Sequence, residues 1–227
     1  MRTLIYVPVI HTSADLGSLA KEVAKRGIAD LGEEIWEEHR RTVDGFWDAI
    51  TDYFDPIDVS GIKIYQDGMV AEGEVGEKIV EEGLKAGSRN YELVSRLLKK
   101  GAILVKTEEF NLVKEERDRL LSLIKSKSLI HKLIAFIGYK LIKNRLLKKR
   151  DKYIVKRISE TLHHGEKGIL FIGAYHNIKR RFSNNIQIRE IKDANKVREY
   201  QKLLPFYNKY KKRFEELTNY LISKVEA

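Results

Sequence analysis

The 227-residue chain contains no cysteine. That excludes a disulfide scaffold and any thiolate metal site. Only three prolines occur, and no Pro/Gly/Ser-rich tract, repeat or low-complexity segment divides the sequence. The longest nearly apolar stretch, Leu129 to Ile142, is broken by His131, Lys132 and Lys140 and is shorter than the roughly 20 residues a spanning helix needs. An integral membrane protein is therefore not expected. No charged-then-apolar segment ending in small residues precedes the first strand-like run, so no secretory signal is read and the cytoplasm is the expected compartment. GxSxG, HExxH, P-loop and GxGxxG patterns are all lacking. Serine hydrolase, zincin, nucleoside triphosphatase and dinucleotide readings thus have no local support.

What is present is a hydrophobic content of 43%, enough for a buried core, in a length suited to one large α/β domain. With no linker in view, residues 1–227 are read as a single domain. Charged residues make up 33%, with few methionines, a composition that suits a hot habitat. The net charge of +10 is uneven: residues 1–100 sum to −6 and residues 101–227 to +16. Such asymmetry fits an anionic partner or two faces that simply differ.

The run Thr3 to Ile10 (TLIYVPVI) is short, β-branched and bounded by polar residues, which predicts a buried strand. Pro8 lacks a ladder donor, so pairing should fail on one side of it or a bulge should precede His11. Further strands are expected at Val59–Tyr65, Ala102–Lys106, Gly168–Ala174 and Ile186–Ile191. Helices are expected from a cap at Ser13 or Asp15 towards Gly27, from Gly32 to Phe54, and over Glu74–Lys85 and Asn90–Lys100, the last capped by Ser88. Strands alternating with helices mean an α/β fold, a mostly parallel sheet of about five strands flanked by helices. Residues 108–164 read as a helical insertion between strands three and four. Leu203, Tyr207, Tyr210, Phe214, Leu217 and Leu221 mark one long C-terminal helix, with Pro205 in its first turn or kinking it. That seam should pack on the chain itself, with homodimerisation as the alternative.

In an open α/β sheet, ligands bind beyond the carboxyl ends of the strands. Here those ends deliver His11, Asp67, Glu108 or Glu109, and His176, two imidazoles and two carboxylates for acid–base work or metal binding. Asp15, Asn177, Arg180 and Arg181 lie beside them as candidate substrate-binding groups, the two arginines for a phosphate or carboxylate. His39, close to the apolar stripe of its helix, is expected instead to hydrogen-bond at a packing interface.

The segment Gly168 to Ile178 (GILFIGAYHNI), with its strand followed by Gly173 and His176 in a GxxH pattern, resembles the TraB/PrgY proteins and their erythromycin-esterase-like and ChaN-like relatives. Ile5 to His11 (IYVPVIH) falls where that superfamily has an N-terminal GxxH-like element, with Pro8 standing in place of glycine. The resemblance implies a hydrolase-like site, with or without a metal, completed by acidic residues, for which Glu108 or Glu109 are the candidates by position.

Two mechanisms fit. His11 or His176 takes a proton from water while a carboxylate holds its tautomer, or both histidines bind a divalent metal that activates water. The substrate, a small molecule or a peptide, is unassigned. The alternative is a non-catalytic binding protein. Between Lys125 and Arg157 many lysines and arginines interleave with leucines and isoleucines, a basic amphipathic helix suited to nucleic acid or to an anionic membrane surface.

Overall fold

The computed structural model describes residues 1–12, 14–15, 20–125 and 129–226, with the backbone alone at 20, 22–23, 26, 120, 122–125 and 129–143. Five strands form one sheet: β1 (Arg2–Val9), β2 (Lys63–Gln66), β3 (Ile103–Val105), β4 (Lys167–Gly173) and β5 (Ile186–Glu190). All neighbouring pairs are parallel and the order is β3-β2-β4-β1-β5. The helices are α1 (Ala20–Leu31), α2 (Glu33–Phe54), α3 (Gly73–Lys85), α4 (Arg89–Lys99), α5 (Phe110–Lys125), α6 (Leu129–Thr161), α7 (Ala194–Leu203) and α8 (Lys211–Ile222).

Side chains alternate across the strands, and both faces are covered. On one face Val7, Val9, Ile64 and Phe171 pack with Phe46, Trp47 and Ile50 of α2, Leu93 and Leu97 of α4, and Val197 of α7. On the other, Leu4, Tyr6, Tyr65 and Leu170 meet Ile154 and Ile158 of α6 and Leu162 just beyond its end. The central strands β1 and β4 are therefore buried on both sides, which explains their nearly unbroken apolar runs.

The middle of the sheet decides where a site can form. The chain leaves β1 towards the β3 edge, returns to insert β4 beside β1, and leaves β4 towards β5. Connections departing in opposite directions open a crevice at the carboxyl ends of β1 and β4. Pro8 fits this place. It pairs in register with Ile172 of β4, while the β5 ladder has already ended at Tyr6 and Glu190. Pairing thus fails on the β5 side, as the missing donor predicts.

Three expectations need correction or limits. Strand two starts later than Val59: the Ile62 amide donates to the Val59 carbonyl at 3.0 Å and Gly61 has φ 71°, so 59–62 is a turn. The single long C-terminal helix is instead α7, a 3-10 turn at Leu204–Phe206 holding Pro205, and α8. Its apolar seam folds inward, with Phe214, Leu217 and Leu221 buried against the chain's own core. The cap expected at Ser13 falls outside the described residues. Ser88 does cap α4, accepting from the Tyr91 amide at 3.2 Å. Among the described residues no helix is long and apolar enough to cross a membrane.

Candidate functional site

The ladder register brings the two histidines together. Val9 of β1 lies opposite Gly173 of β4; His11 follows two residues after the first and His176 three after the second. A turn closed by the His176 amide on the Gly173 carbonyl, 3.0 Å, lifts the His176 ring over the strand end. Asp67 comes from the next strand, its amide donating to the Phe171 carbonyl at 2.8 Å. The three side chains converge on one atom. Asp67 Oδ2 lies 3.7 Å from His11 Nε2 and 3.5 Å from His176 Nε2, and it accepts the Gly173 N–H at 2.8 Å.

Each member is held from behind. His176 Nδ1 lies 2.6 Å from Asp151 Oδ1 of α6, and a carboxylate only accepts, so Nδ1 carries the hydrogen and Nε2 is left facing Asp67. His11 has Asp15 at 3.8 Å on its Nδ1 side. Asp15 is itself fixed by the Thr12 amide at 2.6 Å and by the Ser88 hydroxyl. The α4 cap residue therefore also braces the site. Arg150 of α6 donates to Asp67 Oδ1 at 2.5 Å, to Glu108 Oε2 at 2.8 Å and also to Glu108 Oε1 and Glu116. Glu108 is fully buried and also accepts the Gly68 amide at 3.1 Å.

These pairings set the charges. Burial alone would raise Asp67, but Arg150 and then His176 and His11 hold it well below the usual carboxylate range. Burial pushes Glu108 up in spite of Arg150. For His176, burial opposes protonation, yet the charge of Asp67 and the bond to Asp151 prevail and the net direction is upward. His11 also moves upward, since Asp15 and Asp67 outweigh burial. Its side chain is 42% exposed, so water screens part of that effect.

Asp67, Glu108 and His176 offer donor atoms within 4.8 Å of one another. Arg150 lies on Glu108 and on Asp67 Oδ1, however, so the donors that remain are Asp67 Oδ2, His176 Nε2 and His11 Nε2. For a tetrahedral ion at roughly 2.0–2.1 Å from nitrogen and oxygen, donors sit about 3.4 Å apart. The two separations from Asp67 Oδ2, 3.5 and 3.7 Å, are close to that, while His11 is not among the donors that all lie within 4.8 Å of one another. Gly173 leaves the room: a Cβ there would lie 3.0 Å from Asp67 Oδ2 and 3.4 Å from His11 Nε2.

The site opens into a cavity of about 450 Å³. Val9, Tyr91, Val113, Leu147, Ala174 and Tyr175 give it largely apolar walls, and α5 and α6 supply its far side.

Of the residues expected from sequence, His11, Asp67, Glu108, His176 and Asp15 come together, with Asp15 behind His11. Glu109 turns away: its carboxylate accepts the Leu112 amide at 3.0 Å at the start of α5. Asn177, Arg180 and Arg181 do not line the cavity. Arg180 is exposed on a 3-10 turn, while Arg181 donates to the Asn177 carbonyl at 3.0 Å and lies 3.9 Å from Asp151, behind the site. His39 hydrogen-bonds Tyr200 at 2.9 Å, and burial lowers its pKa to about 4.

Arg150, Asp151 and Glu116 are the residues that sequence reasoning missed. One signal was available: Asp151 is the only acidic residue between Asp118 and Glu160, in the most basic part of the chain. No family model, curated protein or solved structure matches this chain.

Proposed function

We propose that this protein is a hydrolase whose site takes one divalent metal ion on His11, Asp67 and His176. The observation that carries the reading is the position of Asp67 Oδ2, which faces Nε2 of both imidazoles at 3.7 and 3.5 Å. Carboxylate and imidazole donors suit zinc and other first-row divalent ions. When bound, such an ion supplies an acidified water and a Lewis acid for a carbonyl-type substrate.

The chain's own groups do the positioning. Asp151 fixes the His176 tautomer, and Arg150 takes up Asp67 Oδ1 so that Oδ2 alone turns to the histidines. The Glu108 carboxylate anchors Arg150. The apolar walls favour a small molecule or peptide carrying an apolar group next to the bond that is cleaved. The likeness of residues 168–178 to the TraB/PrgY and erythromycin-esterase/ChaN-like proteins belongs to the same proposal. It draws support from Gly173, the glycine of that GxxH pattern, whose lack of a Cβ keeps the floor of the site open.

Calorimetric titration with zinc and manganese tests the reading. One ion should bind per chain, Asp151→Asn should weaken binding roughly 10- to 100-fold through the loss of His176 positioning, and ester or amide hydrolysis should depend on the metal. Unchanged metal affinity in a His11→Ala, His176→Ala double variant sinks it.

A further inference from the structure

We propose that the outer face of α6 docks on an anionic lipid bilayer. The carboxyl half of this helix has two distinct sides. Arg150, Asp151, Ile154 and Ile158 are buried, whereas Arg145, Lys148, Lys149, Lys152 and Lys156 are exposed. At 3.6 residues per turn the exposed group is centred roughly 180° around the helix from the buried one. Several exposed arginines elsewhere meet acids, as Arg96 meets Glu92, and Arg213 meets Glu199 and Glu216. Among the described residues, Arg145, Lys148, Lys149 and Lys152 have no acidic partner, and only Lys156 approaches one, Glu160 at 3.8 Å. The four unpaired cations and Asn144 border a shallow hollow of about 490 Å³.

The sequence of the helix changes character towards its amino end. Continuing the four- and three-residue steps from Lys152, Lys148 and Arg145, the sequence reads Leu141, Ile137 and Ile134. Ten of the fourteen residues from 129 to 142 are apolar. An exposed cationic segment that follows an apolar one in the sequence suits a bilayer surface, which offers lipid phosphates to the cations and acyl chains to the apolar residues. A nucleic acid would favour cations throughout, whereas residues 133–139 carry none. No helix among the described residues can cross a membrane, so α6 is assigned to the interface and not to a span.

Cosedimentation of the full chain with phosphatidylcholine vesicles, with and without phosphatidylserine, is the first test. Binding should require phosphatidylserine, weaken with added salt, and fall roughly tenfold or more in the variant R145E/K148E/K149E/K152E. These four side chains are exposed, and circular dichroism checks that the variant folds. Since the chain has no cysteine, Ile134→Cys carries a single environment-sensitive dye, whose emission should shift to the blue on the same vesicles. The proposal is overturned by absence of vesicle binding at low salt, by binding that survives the four substitutions, or by vesicle binding without a dye shift. Tighter binding of random-sequence duplex DNA or RNA, lost in the same variant, would replace lipid with nucleic acid.

Discussion

At the scale of single residues, the site depends on one that has no side chain. Gly173 donates its N–H to Asp67 Oδ2 at 2.8 Å and sits beneath both imidazoles. Its φ is not positive, so alanine is not excluded by backbone conformation. What alanine brings is a methyl 3.0 Å from Asp67 Oδ2, so that this oxygen must give by a few tenths of an ångström, and in van der Waals contact with His11 Nε2 at 3.4 Å. Gly173→Ala should therefore fold, with a melting temperature near that of the parent, and lose most of its metal affinity and any hydrolytic activity. Parallel thermal denaturation and metal titration check this. Retained affinity would mean that Asp67 and the histidines do not act as one donor set.

At the scale of elements, α6 links the sheet to the site through Arg150. The side chains of Arg150, Asp67 and Glu108 are all nearly or fully buried, and Glu116 is partly so. Removing one partner from such a network leaves uncompensated charge and costs about 3–5 kcal/mol, whereas replacing the whole group with apolar residues often costs little. Arg150→Met should destabilise by about that amount, and adding Glu108→Gln should recover part of it, as measured by urea denaturation. Equal loss in the single and double variants would show that Glu108 is not the group left exposed to the penalty. These elements also show what sequence can and cannot reveal. Period-two and buried-strand patterns placed all five strands within a few residues, because burial on both faces leaves apolar runs such as TLIYVPVI and GILFIG. His11, Asp67, Glu108 and His176 were legible because each closely follows a strand, and strand ends converge whatever the helices do. Asp151 and Arg150 were not legible as site residues. They reach the site from the middle of a helix of 33 residues, where their inward direction depends on how α6 crosses the sheet. Glu108 and Glu109 are adjacent in sequence, and only the pairing of the Thr107 and Glu108 amides with the Met69 carbonyl decides which turns inward.

At the scale of the whole molecule, stability against pH integrates groups that pull in opposite directions. His39 is lowered by burial to about 4, so between its ordinary value near 6.5 and that level the unfolded chain binds a proton that the folded chain refuses. Stability contributed by neutral His39 is thus present above pH 6.5 and is lost as the pH falls towards 4. Glu108, raised by burial, acts the other way: its contribution is full when it is protonated and declines as the pH rises through its folded value. His176, raised mainly by Asp67 and Asp151 against the effect of burial, stabilises below its unfolded value and loses that contribution as the pH rises through the folded one. Asp67 acts only below its ordinary value of 3.8, losing stability as acid protonates it. A raw pH profile therefore mixes these slopes with those of other shifted groups, His11 among them, but a difference profile does not. His39→Gln keeps a polar group beside the Tyr200 hydroxyl and removes the titration. Subtracting its unfolding free energies from those of the parent should leave a curve flat above pH 6.5 and falling steadily from there to about 4. A flat difference across that range would mean that His39 gains its proton in the folded state as freely as in the unfolded chain, and that its contact with Tyr200 does not keep it out of water.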